Sequence, residues 1–207
     1  MDICFLRHGR SRADDEEVHE GRYDSPLTGV GRAQATRLGA MWKQQDVEFD
    51  LIVCSTLVRA HETAEIVADA LGVPVEPDAN WMEKDNGPLA GLTWEEADAQ
   101  YPEPEWNTPY VRLAGVGESP SDLQCRATRA IQDVIHRGRE RVLVVAHGGI
   151  LNAAMRSISG APAQVNKTSF YFGFGDNGYV RTTYTPESHS WGIREFVPNG
   201  VDSYKME

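Results

Sequence analysis

The sequence is short of three things: cysteine, long apolar runs and positive charge. Only Cys4, Cys54 and Cys125 occur in 207 residues, without a C-x-x-C spacing. An odd, sparse set argues against a disulfide framework and fits small core residues in a reducing compartment. The longest aliphatic run, Val142 to Ala146, falls far short of the ~20 residues that a membrane helix needs. No basic stretch leads into an apolar one at the start, so no signal peptide is read and a cytoplasmic location is expected. Lysine and arginine number 20 against 31 acidic residues, a net charge of −11. Such a balance opposes a broad grip on nucleic acid or on an anionic membrane. Paired metal-ligand spacings such as H-x-x-x-H are missing, as is a Walker A pattern. Neither a metal nor a nucleotide cofactor is therefore expected.

What remains is ordinary globular material. Hydrophobic residues make up 41% of the chain, and the length fits one domain with an elaborated cap. Three short apolar runs lack polar alternation, as strands covered on both faces do: Ile3–Leu6, Asp50–Cys54 and Arg141–Ala146. Helical patterns lie between them. Thr28 is placed to cap a helix reaching about Gln44, and Leu57, Ala60, Ala64, Val67 and Leu71 form an amphipathic stripe that stops at Gly72. Thr93 to Glu96 fits a capping box, and Ser119-Pro120-Ser121-Asp122 a helix start. A further helix is expected from about Gly149 to Ile158. The segment 101–117, rich in Pro and Gly, reads as an excursion over the site, with Trp106 and Tyr110 as a candidate apolar wall. After residue 160, one or two strands joined by the turn Asp176-Asn177-Gly178 are expected. The alternation indicates an α/β fold.

In such folds, sites form outside the carboxyl ends of the strands. Each apolar run here ends in polar residues: Arg7-His8-Gly9, Ser55 leading to Arg59, and His147-Gly148-Gly149. If the strands are parallel, two histidines and two arginines converge. Arginine forks suit phosphoryl oxygens, and a helix beginning after His147 would aim amides at an anion.

Leu6-Arg7-His8-Gly9, Arg59 within Ser55–Ala64, and Ala146–Gly149 together resemble the histidine phosphatase superfamily, the phosphoglycerate mutase-like proteins. Asp24–Thr28 with Gly31–Ala35 is similar to the segment that follows the family's first loop. Glu83, with Gly87, Gly91, Leu92 and Thr93 behind it, resembles the stretch contributing the family's acid, with Asp85 as the competing candidate. Gly117–Ser119 with Asp122, Leu123 and Arg126 resembles the lead-in to the helix before the last core strand. The resemblance runs from about residue 3 to 158. It implies a single domain over 1–207, a three-layer αβα sandwich with a mostly parallel sheet, and residues 83–118 forming much of a cap over the strand ends.

The resemblance also implies roles. His8 would be the nucleophile, forming a phosphohistidine. Arg7, Arg59 and His147 would hold the phosphoryl oxygens. Glu83 would give a proton to the leaving oxygen and then activate water. Ser11, Arg10 and Gly148 are expected to add substrate contacts, making the pocket a small positive seat in an acidic body. Arg10 and Asp14 depart from the usual pattern, and Asp14 is not counted as a ligand. His61 and Glu62 are expected to face solvent. Three functions are weighed: a phosphomonoesterase acting on a small phosphorylated metabolite, a phosphoglycerate mutase, and a non-catalytic phospho-ligand or phosphoprotein binding module. Glu83 and His147 stand only 64 positions apart, short for a mutase's basic insertion, which favours hydrolysis. A homodimer is common in the family, but no interface is legible.

Overall fold

A computed structural model describes residues 1–104, 107–165 and 170–200. Its frame is a six-stranded sheet of β1 (Asp2–Arg7), β2 (Leu51–Cys54), β3 (Val75–Pro77), β4 (Arg141–Ala146), β5 (Tyr179–Thr185) and β6 (Ser190–Val197). The spatial order is β3-β2-β4-β1-β5-β6. The first four strands run parallel, with β4 between β2 and β1, and β5 and β6 extend one side antiparallel.

Alternate side chains of the parallel strands enter two separate cores. Ile3, Phe5, Val53, Val142 and Val144 pack with α5 (Pro120–His136) and α6 (Gly148–Ser159). Cys4, Leu6, Ile52, Cys54, Leu143 and Val145 pack with α2 (Gly29–Gln44) and α3 (Val58–Leu71). This two-sided burial is why the runs lack polar alternation. Each fully buried aliphatic side chain contributes about 1.5–3 kcal/mol, so the layers are held mainly through the sheet's two faces.

The helix starts follow their side-chain caps. Thr28 accepts from the Gly31 amide at the head of α2. Thr93 and Glu96 form a capping box for α4 (Trp94–Gln100), and Ser119 and Asp122 form one for α5, with Pro120 in its first turn. Helix α3 buries Ala60, Ala64 and Val67 and closes on Gly72 in the left-handed region. Two short elements, α1 (Arg12–Glu16) and β3, have no counterpart in the sequence reading. Neither is long enough to show a hydrophobic period.

Three expectations are corrected. Asp176–Gly178 does not join two strands. Its groups complete the end of β1, with the Asn177 amide donating to His8 O (3.2 Å) and the Arg7 amide to Gly178 O (2.9 Å). Phe172, in the aromatic stretch before it, is tied instead to the Asn152 side chain of α6 by hydrogen bonds of 2.7 and 3.0 Å. The hairpin of β5 and β6 turns at residues 186–189. Second, Cys125 lies exposed on α5, whereas Cys4 and Cys54 are core residues whose thiols burial pushes up to about 12. Third, Tyr110 is exposed rather than part of a wall, and Trp106 lies outside the described residues.

The segment 83–118 carries 3-10 turns at Gly87–Leu89 and Leu113–Gly115 on either side of α4. It packs on the loop after α1: the His19 and Trp94 rings are 3.9 Å apart, and the Gly91 amide donates to His19 O at 2.8 Å. Among the described residues no helix is long and apolar enough to cross a membrane.

Candidate active site

Three adjacent parallel strands deliver the chemistry to one rim. Arg7 ends β1 and His8-Gly9 follow it, Ser55 follows β2 with Arg59 in the first turn of α3, and His147 stands between β4 and α6. The His8 and His147 ring centroids are 5.0 Å apart, and both side chains are buried. Gly9 permits the turn after β1, because a Cβ there would lie 2.6 Å from Gly31 O.

His8 Nδ1 lies 2.7 Å from Gly9 O. A carbonyl only accepts, so Nδ1 carries the proton and Nε2 presents a lone pair. The Arg59 Nε–H donates to that Nε2 at 3.2 Å. The same guanidinium is anchored by Tyr23 O (3.0 Å) and Gly21 O (2.8 Å). Burial lowers the Arg59 pKa, while Glu20, Glu83 and Asp24 oppose that shift.

His147 Nε2 lies 2.8 Å from Ser55 Oγ, which also accepts from the Leu57 amide at 3.2 Å. A hydroxyl that donates to Nε2 leaves the ring proton on Nδ1, the tautomer that a phosphoryl oxygen at Nδ1 requires. That Nδ1 is buried without a hydrogen-bond partner among the described residues. Burial, then the charges of Arg59, His8 and Arg7, holds the His147 pKa well below 6.5, so the ring is neutral at neutral pH. An orphaned buried donor costs stability and fits an oxygen ligand.

Glu83 is held across the start of α6. Its Oε2 accepts from the Gly149 amide (2.8 Å), and its Oε1 from those of Ile150 (3.0 Å) and Lys84 (2.7 Å). The helix amides expected to face a substrate anion thus hold an acid side chain. Arg126 fixes the backbone behind it, donating to Asn80 O, Met82 O and Glu83 O, and pairs with Glu118 at 2.6 Å. Asp85, the competing acid, pairs with Arg22 at 3.1 Å and accepts from the Gly87 amide.

Arg7 is shared between Asp14 (3.2 Å) and Asp176 (3.4 Å). Arg10, expected at the substrate, turns to Asp15 (2.6 Å) on the exposed surface. Ser11 is buried; its hydroxyl caps α1 and bonds Asp14 (2.9 Å) and Glu20 (2.5 Å). Gly148 opens α6, with free space where a Cβ would sit. His61 lies half-exposed beside Glu65, and Glu62, also half-exposed, takes Arg32.

One residue escaped the sequence reading. Glu20 lies 3.1 Å from Arg59 Nε and 3.6 Å from His8 Nε2. Burial would raise its pKa, but the neighbouring His8, the Arg59 charge and the Ser11 hydroxyl outweigh it and hold the carboxyl at about 2. The expected net-positive pocket is therefore corrected: both arginines meet carboxylates, Asp14 and Asp176 on Arg7 and Glu20 on Arg59. Among the described residues, no group of three or more His, Cys, Asp or Glu side chains is placed to hold a metal.

Comparisons with known proteins place the chain in a family. The model of the histidine phosphatase superfamily (branch 1) matches residues 3–188. Phosphatase PhoE of Bacillus subtilis (strain 168) is 30% identical over 166 residues, 80% of this chain and 81% of that protein. A 2,3-bisphosphoglycerate-dependent phosphoglycerate mutase of Methylobacterium sp. (strain 4-46) is 35% identical over 168 residues, 76% of this chain and 80% of the relative. Among solved structures, Bacillus stearothermophilus YhfR superposes with a TM-score of 0.81 at 27% identity, covering 96% of each chain. A mycobacterial glucosyl-3-phosphoglycerate phosphatase complexed with VO3 gives 0.81 at 24% identity, covering 96% of this chain and 99% of that one, a likeness of fold. With its paired histidines and arginines at the ends of parallel strands and a model match over nearly its whole length, the chain belongs to the histidine phosphatase superfamily, branch 1.

Proposed function

We propose that this chain is a metal-independent phosphomonoesterase that hydrolyses small phosphate esters through a phosphohistidine on His8. The observation that carries the reading is the His8 ring itself: Nδ1 is bound to Gly9 O, so Nε2 keeps the nucleophilic lone pair, with the Arg59 Nε–H directed at it. In the first step Nε2 attacks phosphorus, an N–P bond forms and the ester P–O bond breaks. Glu83 gives the leaving oxygen its proton. In the second step Glu83 takes a proton from water, the resulting hydroxide attacks phosphorus, and the N–P bond breaks to restore His8 and release phosphate. Arg7, Arg59 and the Nδ1–H of His147 bind the phosphoryl oxygens as charge shifts.

Hydrolysis is favoured over mutase transfer by charge rather than by length. The Methylobacterium relative named a mutase aligns over four fifths of its own length, so overall length does not separate the two readings. A mutase must instead retain a bisphosphorylated intermediate with several negative charges. Here both site arginines already face carboxylates, and Arg112 pairs with Asp122 at 3.6 Å. The test is phosphate release from an aryl phosphate in EDTA by the wild type and by His8→Ala. Release by the wild type alone is expected. Undiminished release by His8→Ala would remove the nucleophile, faster transfer between the 3- and 2-positions of phosphoglycerate than hydrolysis would make the protein a mutase, and phosphate binding without turnover of any ester would make it a binding module.

A further inference from the structure

Glu20 has no task in the reaction just described, yet its carboxylate sits beside the nucleophile. Oε2 is 3.6 Å from His8 Nε2, the atom that must meet phosphorus, and Oε1 is 3.1 Å from Arg59 Nε. Those two positions are where the oxygens of an incoming phosphoryl group are needed. The carboxylate is fixed there by the Ser11 hydroxyl at 2.5 Å.

The charges around Glu20 come from every side. His8 faces it from the end of β1 and Arg59 from α3. Asp14, on α1, shares the Ser11 hydroxyl with it and engages Arg7. Glu17 lines the outer cleft beside it, together with Trp94 of α4. Glu83 and His147 lie beyond Arg59, whose charge acts on both. With its carboxyl held at about 2, Glu20 stays ionised throughout any working pH range. Two ways of meeting a phosphate follow from elementary electrostatics. A dianion brings like charge against the carboxylate in a half-buried setting, where such contacts are less screened than at the open surface. A monoanion brings one P–OH, which can donate to it as a charge-assisted hydrogen bond.

We propose that Glu20 is a specificity-determining residue that selects phosphoryl groups carrying one proton, the monoanion of a phosphate ester, by accepting the P–OH hydrogen bond. This rests on the phosphatase reading above and names the ionic form of substrate that the site takes. The protonation that matters is the substrate's own, with a second ionisation near pH 6; the enzyme's carboxylate is unchanged across it.

The test separates binding from turnover. Inorganic phosphate binding is measured by calorimetry at about pH 5 and about pH 8, on either side of that ionisation, for the wild type, Glu20→Gln and Glu20→Ala. Near pH 5 the wild type and Glu20→Gln are expected to bind with similar affinity. Near pH 8 both neutral variants are expected to bind at least about fivefold more tightly than the wild type, a partly screened like-charge contact. Matching behaviour of the two variants, whose shapes differ, assigns the effect to charge. For an aryl phosphate, the fall in kcat/KM above about pH 6 is expected in the wild type and displaced upward in Glu20→Gln. A wild-type to variant affinity ratio that is the same at both pH values overturns the proposal, even with turnover intact. Absence of ester hydrolysis overturns the phosphatase reading instead, and the phosphate affinities still decide the role of Glu20.

Discussion

The Glu83 carboxylate is joined to the start of α6 through the amides of Gly149 and Ile150, at 2.8 and 3.0 Å. The approach depends on glycine, since a Cβ at position 149 would lie 2.4 Å from Glu83 Oε1. Gly149→Ala is therefore expected to displace the carboxylate and lower kcat by about 100-fold, the low end for loss of a general acid. Stability should change little, because alanine's gain of about 1 kcal/mol in a helix offsets a lost charge–helix contact of about 0.3–1 kcal/mol. Steady-state phosphate release with a parallel thermal melt checks both; an unchanged kcat would remove Glu83 from proton transfer.

Arg126 does for the Glu83 backbone what Gly149 does for its carboxylate. One guanidinium serves three carbonyls and Glu118, with side-chain exposure of only 14%. Arg126→Ala leaves Glu118 without that partner and the carbonyls unpaired, at an expected cost of about 3–5 kcal/mol. Arg126→Lys should recover only part, because an ammonium cannot reproduce the planar fork. Urea unfolding measures the loss, and kcat of the remaining folded protein should fall as well. A loss below about 1 kcal/mol, the scale of an exposed pair, would show that the clamp is not formed in solution.

The strands and their chemistry were legible because burial on two faces leaves an unbroken apolar run, and each run stops abruptly at a polar residue: Leu6 before Arg7, Cys54 before Ser55, Ala146 before His147. The helices were legible from Thr28, Thr93 and Ser119, whose caps act over three residues of sequence. Glu20 was not. It follows Asp14, Asp15, Glu16 and Glu17, a stretch that reads as solvated charge, in a loop without period. Its partners His8 and Arg59 reach it only through tertiary folding. The acids that neutralise Arg7 were hidden for the same reason, Asp176 lying at the opposite end of the chain. The Asp176–Gly178 turn misled because the turn signal is local, whereas the groups it satisfies belong to β1.

Two groups of the site should make stability depend on pH in separate windows. His147 has a folded pKa well below 6.5, so the unfolded chain binds the extra proton below that value. Its contribution is fully present above about pH 6.5 and is lost as pH falls, at about 1.4 kcal/mol per pH unit until the folded pKa is reached. Glu20, lowered from 4.5 to about 2, contributes stability above pH 4.5 that is lost as pH falls toward 2. Denaturant unfolding across pH should therefore show an upper slope absent from His147→Asn and a lower slope reduced in Glu20→Gln. An upper slope of equal size in His147→Asn would assign it to another group.

Ser55 is expected to control which His147 nitrogen carries the proton. Its buried hydroxyl is bracketed by the Leu57 amide at 3.2 Å and His147 Nε2 at 2.8 Å. Ser55→Ala removes the donor to Nε2, leaving that nitrogen and the amide without their partner, at about 1–3 kcal/mol of stability. The ring proton is then free to move to Nε2, which would turn a bare Nδ1 toward the phosphoryl oxygens, lone pair against lone pair. A fall in kcat/KM of about 10- to 100-fold is expected, near the lower range for losing one donor to a transition-state oxygen. Ser55→Thr keeps a hydroxyl and should restore part of the rate. Imidazole nitrogen chemical shifts read the tautomer directly, a quantity that loosened packing alone would not reverse. If Ser55→Ala keeps the proton on Nδ1 and full activity, the hydroxyl does not orient His147.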